Sequence, residues 1–167
     1  INLFGPVSGA HFNPIVTLAY VLIGDLPIKR AGAFIAAQIF GAIAGVLLTH
    51  AMFAQSLFQL SQTPRTGASL WISEIFASFG LLLIIFGGLA QKLKAIASMV
   101  ALYITGAYLF TASTSFANPA VSIARALSDT FAGIDPAHVP MFILCQLIGM
   151  VLALVAVRAV FVRHTSS

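Results

Sequence analysis

Two short segments place the same polar groups at the head of an apolar run. Ser8-Gly-Ala-His-Phe-Asn-Pro-Ile-Val-Thr lies over Ser113-Thr-Ser-Phe-Ala-Asn-Pro-Ala-Val-Ser at a constant offset of 105 residues. Asparagine is a preferred helix N-cap, and proline suits the first helical position because its missing N–H would have no partner there. Asn13-Pro14-Ile15 and Asn118-Pro119-Ala120 therefore predict two short helices, Pro14 to Ile23 and Pro119 to Leu127, each preceded by irregular, Gly/Ser/Thr-rich chain. A helix N-terminus carries about half a positive charge, and each Asn adds an amide beside it. The available chemistry is dipolar: such a site turns a small polar molecule and repels a cation, or else the Asn residues are caps and nothing more.

Covalent chemistry has little to work with. The carboxylates are Asp25, Glu74, Asp129 and Asp135, scattered along the chain, and the motifs of metalloproteases, serine hydrolases and phosphate-binding loops are missing. One cysteine, Cys145, excludes an internal disulfide and reads as a packing residue. No metal, no cofactor and no enzyme activity is expected. The net charge of +4 does not cluster into a basic stripe, so no nucleic-acid partner is expected either. His11 is expected to be structural and bonded to backbone, and His50 and His138 to sit near membrane interfaces without a chemical role.

The elements that must hold these motifs follow from composition. Of the 167 residues 60% are hydrophobic and 7% charged, against about 25% charged in soluble domains. A soluble globule could not cover its surface with so few charges, so a polytopic membrane protein is predicted. A span needs about 20 apolar residues. Four stretches serve: Ala31–Phe53, Ser69–Ala90, Ala95–Phe110 and Val139–Phe161. Three lie between the two Asn-Pro motifs, an odd number, so the second short helix must enter from the opposite face. That is an inverted repeat, in which broken helices meet at the midplane. The repeat extends downstream: Gln38 and Gly41 match Gln146 and Gly149 at an offset of 108, with Gly45 and Ala153 as further small residues for close helix contact. Lys29, Arg30, Lys92, Lys94, Arg158 and Arg163 fall on one side and Arg65 and Arg125 on the other, which makes the first side, with the C-terminus, cytoplasmic.

With two Asn-Pro half-helices in inverted repeats, the sequence resembles the aquaporin family of major intrinsic proteins. Ile15 stands where the first signature of that family has Ala, while Asn118-Pro119-Ala120 is intact. Glu74, followed by Ser78-Phe79, is similar to the family's buried acid that hydrogen-bonds loop backbone. The resemblance implies six spans around two half-helices in an all-α membrane protein. Four spans are present here, so the chain is expected to be a single channel domain over 1–167 that lacks the first two spans, and with them the repeat partner of Glu74. His11, Gln38 and Gln146 join Glu74 as expected buried polar groups. Homotetramers and a bacterial inner membrane are implied as well.

The family also has an outer constriction with four contributors, one an Arg directly after the second Asn-Pro-Ala. Here that position is Val121. The resemblance maps Gly106 and Ser115 onto two other contributors; the fourth lies outside this sequence. These three residues imply a wider, uncharged constriction. Arg125, four residues after Val121 and so on the same helix face, either supplies a cation at the pore mouth or pairs with Asp129. The expected function is passive diffusion of small neutral solutes (glycerol-like polyols, metalloid hydroxides such as arsenous acid) together with water. The Val resembles bacterial aquaglyceroporin-like members found with arsenic resistance. A water-selective channel and a non-conducting structural protein of the same fold are the alternatives.

Overall fold

The computed structural model describes residues 1–162, with side chains to 161; Arg163, one of the charges used above for orientation, lies outside the described residues. Among the described residues the chain is helical throughout, without strands. The elements are α1 (Gly5–Ser8), α2 (Pro14–Leu22), α3 (Ile28–Met52), α4 (Ala68–Ala90), α5 (Ile96–Phe110), α6 (Pro119–Arg125) and α7 (Val139–Val157). A single 3-10 turn, Pro136–His138, leads into α7, and a π-helical segment, Arg158–Val162, continues it.

The Asn-Pro pairs start α2 and α6 as their chemistry dictates. The Asn13 side chain accepts from the Ile15 amide, and the Asn118 side chain from those of Ala120 and Val121. Among the described residues three helices are long and apolar enough to cross a membrane: Ile28–Met52, Ala68–Ala90 and Pro136–Phe161. The fourth expected span is shorter than that. Helix α5 has 15 residues, about 22 Å at 1.5 Å per residue. It stops at Thr111, whose hydroxyl bonds back to Ala107 O at 2.6 Å, and the chain then turns through left-handed backbone at Thr114, Ser115 and Ala117.

The core forms where α4 crosses α7, and the residue spacing explains it. Glu74, Ala77, Ser78, Leu81 and Leu82 line one face of α4; Phe142, Cys145, Gln146, Gly149, Met150 and Ala153 line the facing stripe of α7. These helices touch because Gly149 has no side chain: a Cβ there would collide with Ile75 O and lie 2.8 Å from Ser78 Cβ. Gly41 and Gly45 hold the matching places in α3, yet a Cβ on either meets nothing within 4 Å. The close contact expected of all these small residues is therefore realised only on α7. Gly149→Val is expected to lower the thermal unfolding temperature in detergent sharply, at a cost of about 3 kcal/mol, because the obstruction is backbone that cannot repack. Gly41→Ala should be neutral or slightly stabilising, since alanine favours helix over glycine.

The short helices cross between halves of the chain. Helix α2 packs on α3 and α7, and α6 packs on the same two, so each half-helix touches a long helix of the other repeat. That exchange brings the two Asn-capped N-termini together.

Candidate functional site

Each short helix follows backbone that does not favour its own conformation. Gly9 and Ala10 before α2, and Thr114, Ser115 and Ala117 before α6, have positive φ. For residues other than glycine this costs about 1–2 kcal/mol each, so something must hold the loops. In the second half it is Glu74, fully buried on α4. Its Oε1 accepts from Ser113 Oγ at 2.7 Å and Phe116 N at 2.8 Å; its Oε2 accepts from Ala117 N at 2.9 Å and Gln146 Nε2 at 2.8 Å. One carboxylate thus gathers loop, α4 and α7.

The paired glutamines do matching work. Gln146 Nε2 also donates to Ser122 Oγ at 2.9 Å, and Gln38 Nε2 donates to Thr17 Oγ1 at 2.8 Å and to His11 O. Thr17 and Ser122 are themselves related by the 105-residue offset. The repeated Gln is a strut from a long helix to a hydroxyl on the first turn of its half-helix. Nothing above singled out Thr17 or Ser122, although their own repeat was the available signal. His11 differs from expectation: its carbonyl, not its ring, makes the backbone tie. The imidazole stacks on Tyr20 at 4.3 Å, and its buried Nδ1 has no partner among the described residues.

At the meeting point each asparagine serves two functions. Asn13 Nδ2 donates to Ala117 O at 2.7 Å, while Asn118 Nδ2 donates to Phe12 O at 3.0 Å. Each amide caps its own helix through oxygen and, through one N–H, braces the carbonyl just before the other Asn. The second N–H of each amide is left for a further acceptor.

Beside this junction lies a cavity of about 620 Å³, lined by residues that include Phe12, Gln38, Asn118, Ala120 and Val121. Gly106 and Ser115 do not line it. Ser115 is buried, its hydroxyl without a partner among the described residues, and a Cβ on Gly106 would rest on the Phe110 ring at 3.5 Å.

Arg125 does not pair with Asp129, the alternative left open by the sequence. The Asp129 carboxylate accepts from the Gln62 amide at 2.9 Å. The Arg125 guanidinium instead lies 4.3 Å from the Phe116 ring centre, and Arg65 lies 4.9 Å from the same ring. Arg65 is buried and donates to Gly133 O at 2.6 Å, Phe131 O at 2.9 Å and Ser113 O at 3.3 Å. Burial first, and then the charge of Arg125, push its guanidinium below the usual arginine value, with Glu74 acting against them; arginine remains charged regardless. Arg65 entered the sequence reading only as a topogenic charge, because its partners lie 48 to 68 residues away. His50 is likewise more than an interface residue. It is 2% exposed and bridges Leu57 O and Ser128 Oγ, each at 3.0 Å.

Among the described residues, long apolar helices packed with two Asn-capped half-helices define an all-α fold of the membrane-spanning class. Residues 1–115 match the major intrinsic protein family. Aquaglyceroporin AqpS of Rhizobium meliloti (strain 1021) is 47% identical over 158 residues, 95% of this chain and 68% of that protein. Aquaporin NIP1-1 of Zea mays is 32% identical over 131 residues, 74% of this chain and 46% of its own length. The glycerol uptake facilitator of Bacillus subtilis (strain 168) shares 46% identity over 46 residues, 28% of this chain and 17% of its own length. The chain belongs to the major intrinsic protein family.

Proposed function

We propose that this chain forms part of a passive pore for water and small neutral solutes, of the glycerol and metalloid-hydroxide type, with Asn13 and Asn118 at its centre. The observation that carries the reading is the pairing of Asn118 with Val121 in one cavity. The two amides and two helix N-termini give a donor-rich, positive spot. A passing water or hydroxyl turns its oxygen toward that spot, which breaks a proton wire and repels cations. One turn on, Val121 presents an aliphatic side chain where a fixed cation would narrow the path. Only the resemblance assigns Gly106 and Ser115 to the same constriction, since neither lines this cavity, and Ile15, Pro14, Pro119 and Ala120 fix the two half-helices. Relatives named aquaglyceroporin and glycerol uptake facilitator support the solute class.

The protein so placed is a single channel domain, a homotetramer of the bacterial inner membrane with its C-terminus in the cytoplasm. Arg65 and Arg125 meeting at one ring supports their lying on a common, outer side.

The test is flux into proteoliposomes by stopped-flow light scattering, using the protein as its gene encodes it. Glycerol and arsenous acid should enter at rates well above protein-free vesicles. Val121→Arg should keep water flux and cut glycerol entry about tenfold or more, as a bulky cation closes the gap. Fast water flux without solute entry would replace this reading with a water-selective channel, and no flux at all would favour a structural role.

A further inference from the structure

We infer that Arg125, supported by Arg65, supplies the fixed positive charge of the outer constriction in place of a residue at Val121. The inference rests on the channel reading and changes one part of it: the constriction is wide but not uncharged.

Three observations carry it. Arg125 lies four residues after Val121 on α6, one helical turn on and on the same face. Side chains on a helix lean back toward its N-terminus, so the guanidinium covers the turn that Val121 begins. Its Cζ lies 4.3 Å from the ring centre of Phe116, two residues before the capping Asn118 and so back toward the start of α6, beside but not within the cavity that Val121 lines.

The second observation is that no anion neutralises it. Among the described residues neither arginine has an ion pair. Asp129 accepts from Gln62 N, Asp135 from Ala137 N, and Glu74 is taken up by the loop and Gln146. Two like charges sharing one aromatic ring with no ion pair to either repel one another, an arrangement that packing alone does not require; Glu74 offsets this in part at Arg65.

The third is the division of labour between them. Arg65 spends three N–H groups on the carbonyls of Gly133, Phe131 and Ser113, which fixes it. Arg125 is half-buried, and its side chain makes no hydrogen bond to the described residues, so its donors remain free for a water or a solute hydroxyl. A cation carried on this longer lever, one turn outward, repels ions while leaving the first turn open to the width of a polyol.

The experiment compares wild type, Arg125→Gln, Arg125→Lys and the double variant Arg125→Gln/Val121→Arg in proteoliposomes. Proton and K⁺ leak are read beside glycerol entry, and unfolding temperature checks the fold. Arg125→Gln should raise the ratio of cation leak to glycerol entry about tenfold. Arg125→Lys should hold the wild-type ratio, and the double variant should restore exclusion while losing glycerol entry. An unchanged ratio in a folded, glycerol-conducting Arg125→Gln protein overturns this inference and leaves the channel reading intact. A wild type that passes neither water nor glycerol overturns the channel reading itself.

Discussion

Glu74→Ala is expected to abolish water and solute flux and to unfold far below the wild type. The carboxylate is the common acceptor for Ser113 Oγ, Phe116 N, Ala117 N and Gln146 Nε2, all buried. Truncation leaves four donors without an acceptor in a site closed to water. An unsatisfied buried donor costs about 1–3 kcal/mol; the four share one network and will not simply add, so a total near 5 kcal/mol is reasonable. The consequence for flux is geometric. Thr114, Ser115 and Ala117 hold left-handed backbone only while the loop is tied down. Once released, Asn118 loses its register against Asn13. Glu74→Gln separates the two contributions, since it keeps one acceptor oxygen but turns an NH2 toward other donors; its stability and flux should fall between those of wild type and Glu74→Ala. Thermal unfolding in detergent and stopped-flow water flux measure both. A Glu74→Ala protein with wild-type flux would show that the loop is held by something else.

The sequence resolves this network unevenly, and the reason is physical. Features set within about one helical turn are legible: Asn13-Pro14 and Asn118-Pro119 start helices because cap and proline act locally, and α3, α4 and α7 follow from apolar length. The repeat offsets also located Gln38 and Gln146. Features set by where a side chain arrives in space are not legible. Gly41 and Gly149 look alike in sequence, yet only Gly149 meets a neighbouring backbone. Arg65 is a lone loop charge until the fold carries it to Ser113 and Gly133. Arg125 and Asp129 have helical pairing distance, but α6 ends at Arg125, so the chain turns away and Asp129 meets Gln62 instead. The bounds of α5, by contrast, are legible: the apolar stretch Ala95–Phe110 and the observed Ile96–Phe110 differ by one residue.

Asn13→Ala and Asn118→Ala should each reduce flux strongly, and their effects should be coupled. Asn13 caps α2 through Oδ1, accepting from Ile15 N at 3.1 Å, and braces Ala117 O through Nδ2 at 2.7 Å. Losing a cap costs about 1 kcal/mol, and stranding a buried carbonyl costs roughly 1–3 kcal/mol more. The carbonyl that Asn13 holds belongs to the residue before Asn118, and the carbonyl that Asn118 holds belongs to the residue before Asn13. Each substitution therefore frees the backbone that positions the other amide. A double-mutant cycle on unfolding free energy should give an interaction of about 0.5–3 kcal/mol, the range for residues in one hydrogen-bond network. Asn13→Asp separates cap from brace: its carboxylate still accepts from Ile15 N and is favoured by the helix N-terminus, but it offers Ala117 O no donor. It should keep much of the stability, lose the tie between halves and admit cations to a site whose positive potential it cancels. Strict additivity of the two alanine substitutions would mean that each Asn is only a cap, and that the two half-helices hold their junction without each other.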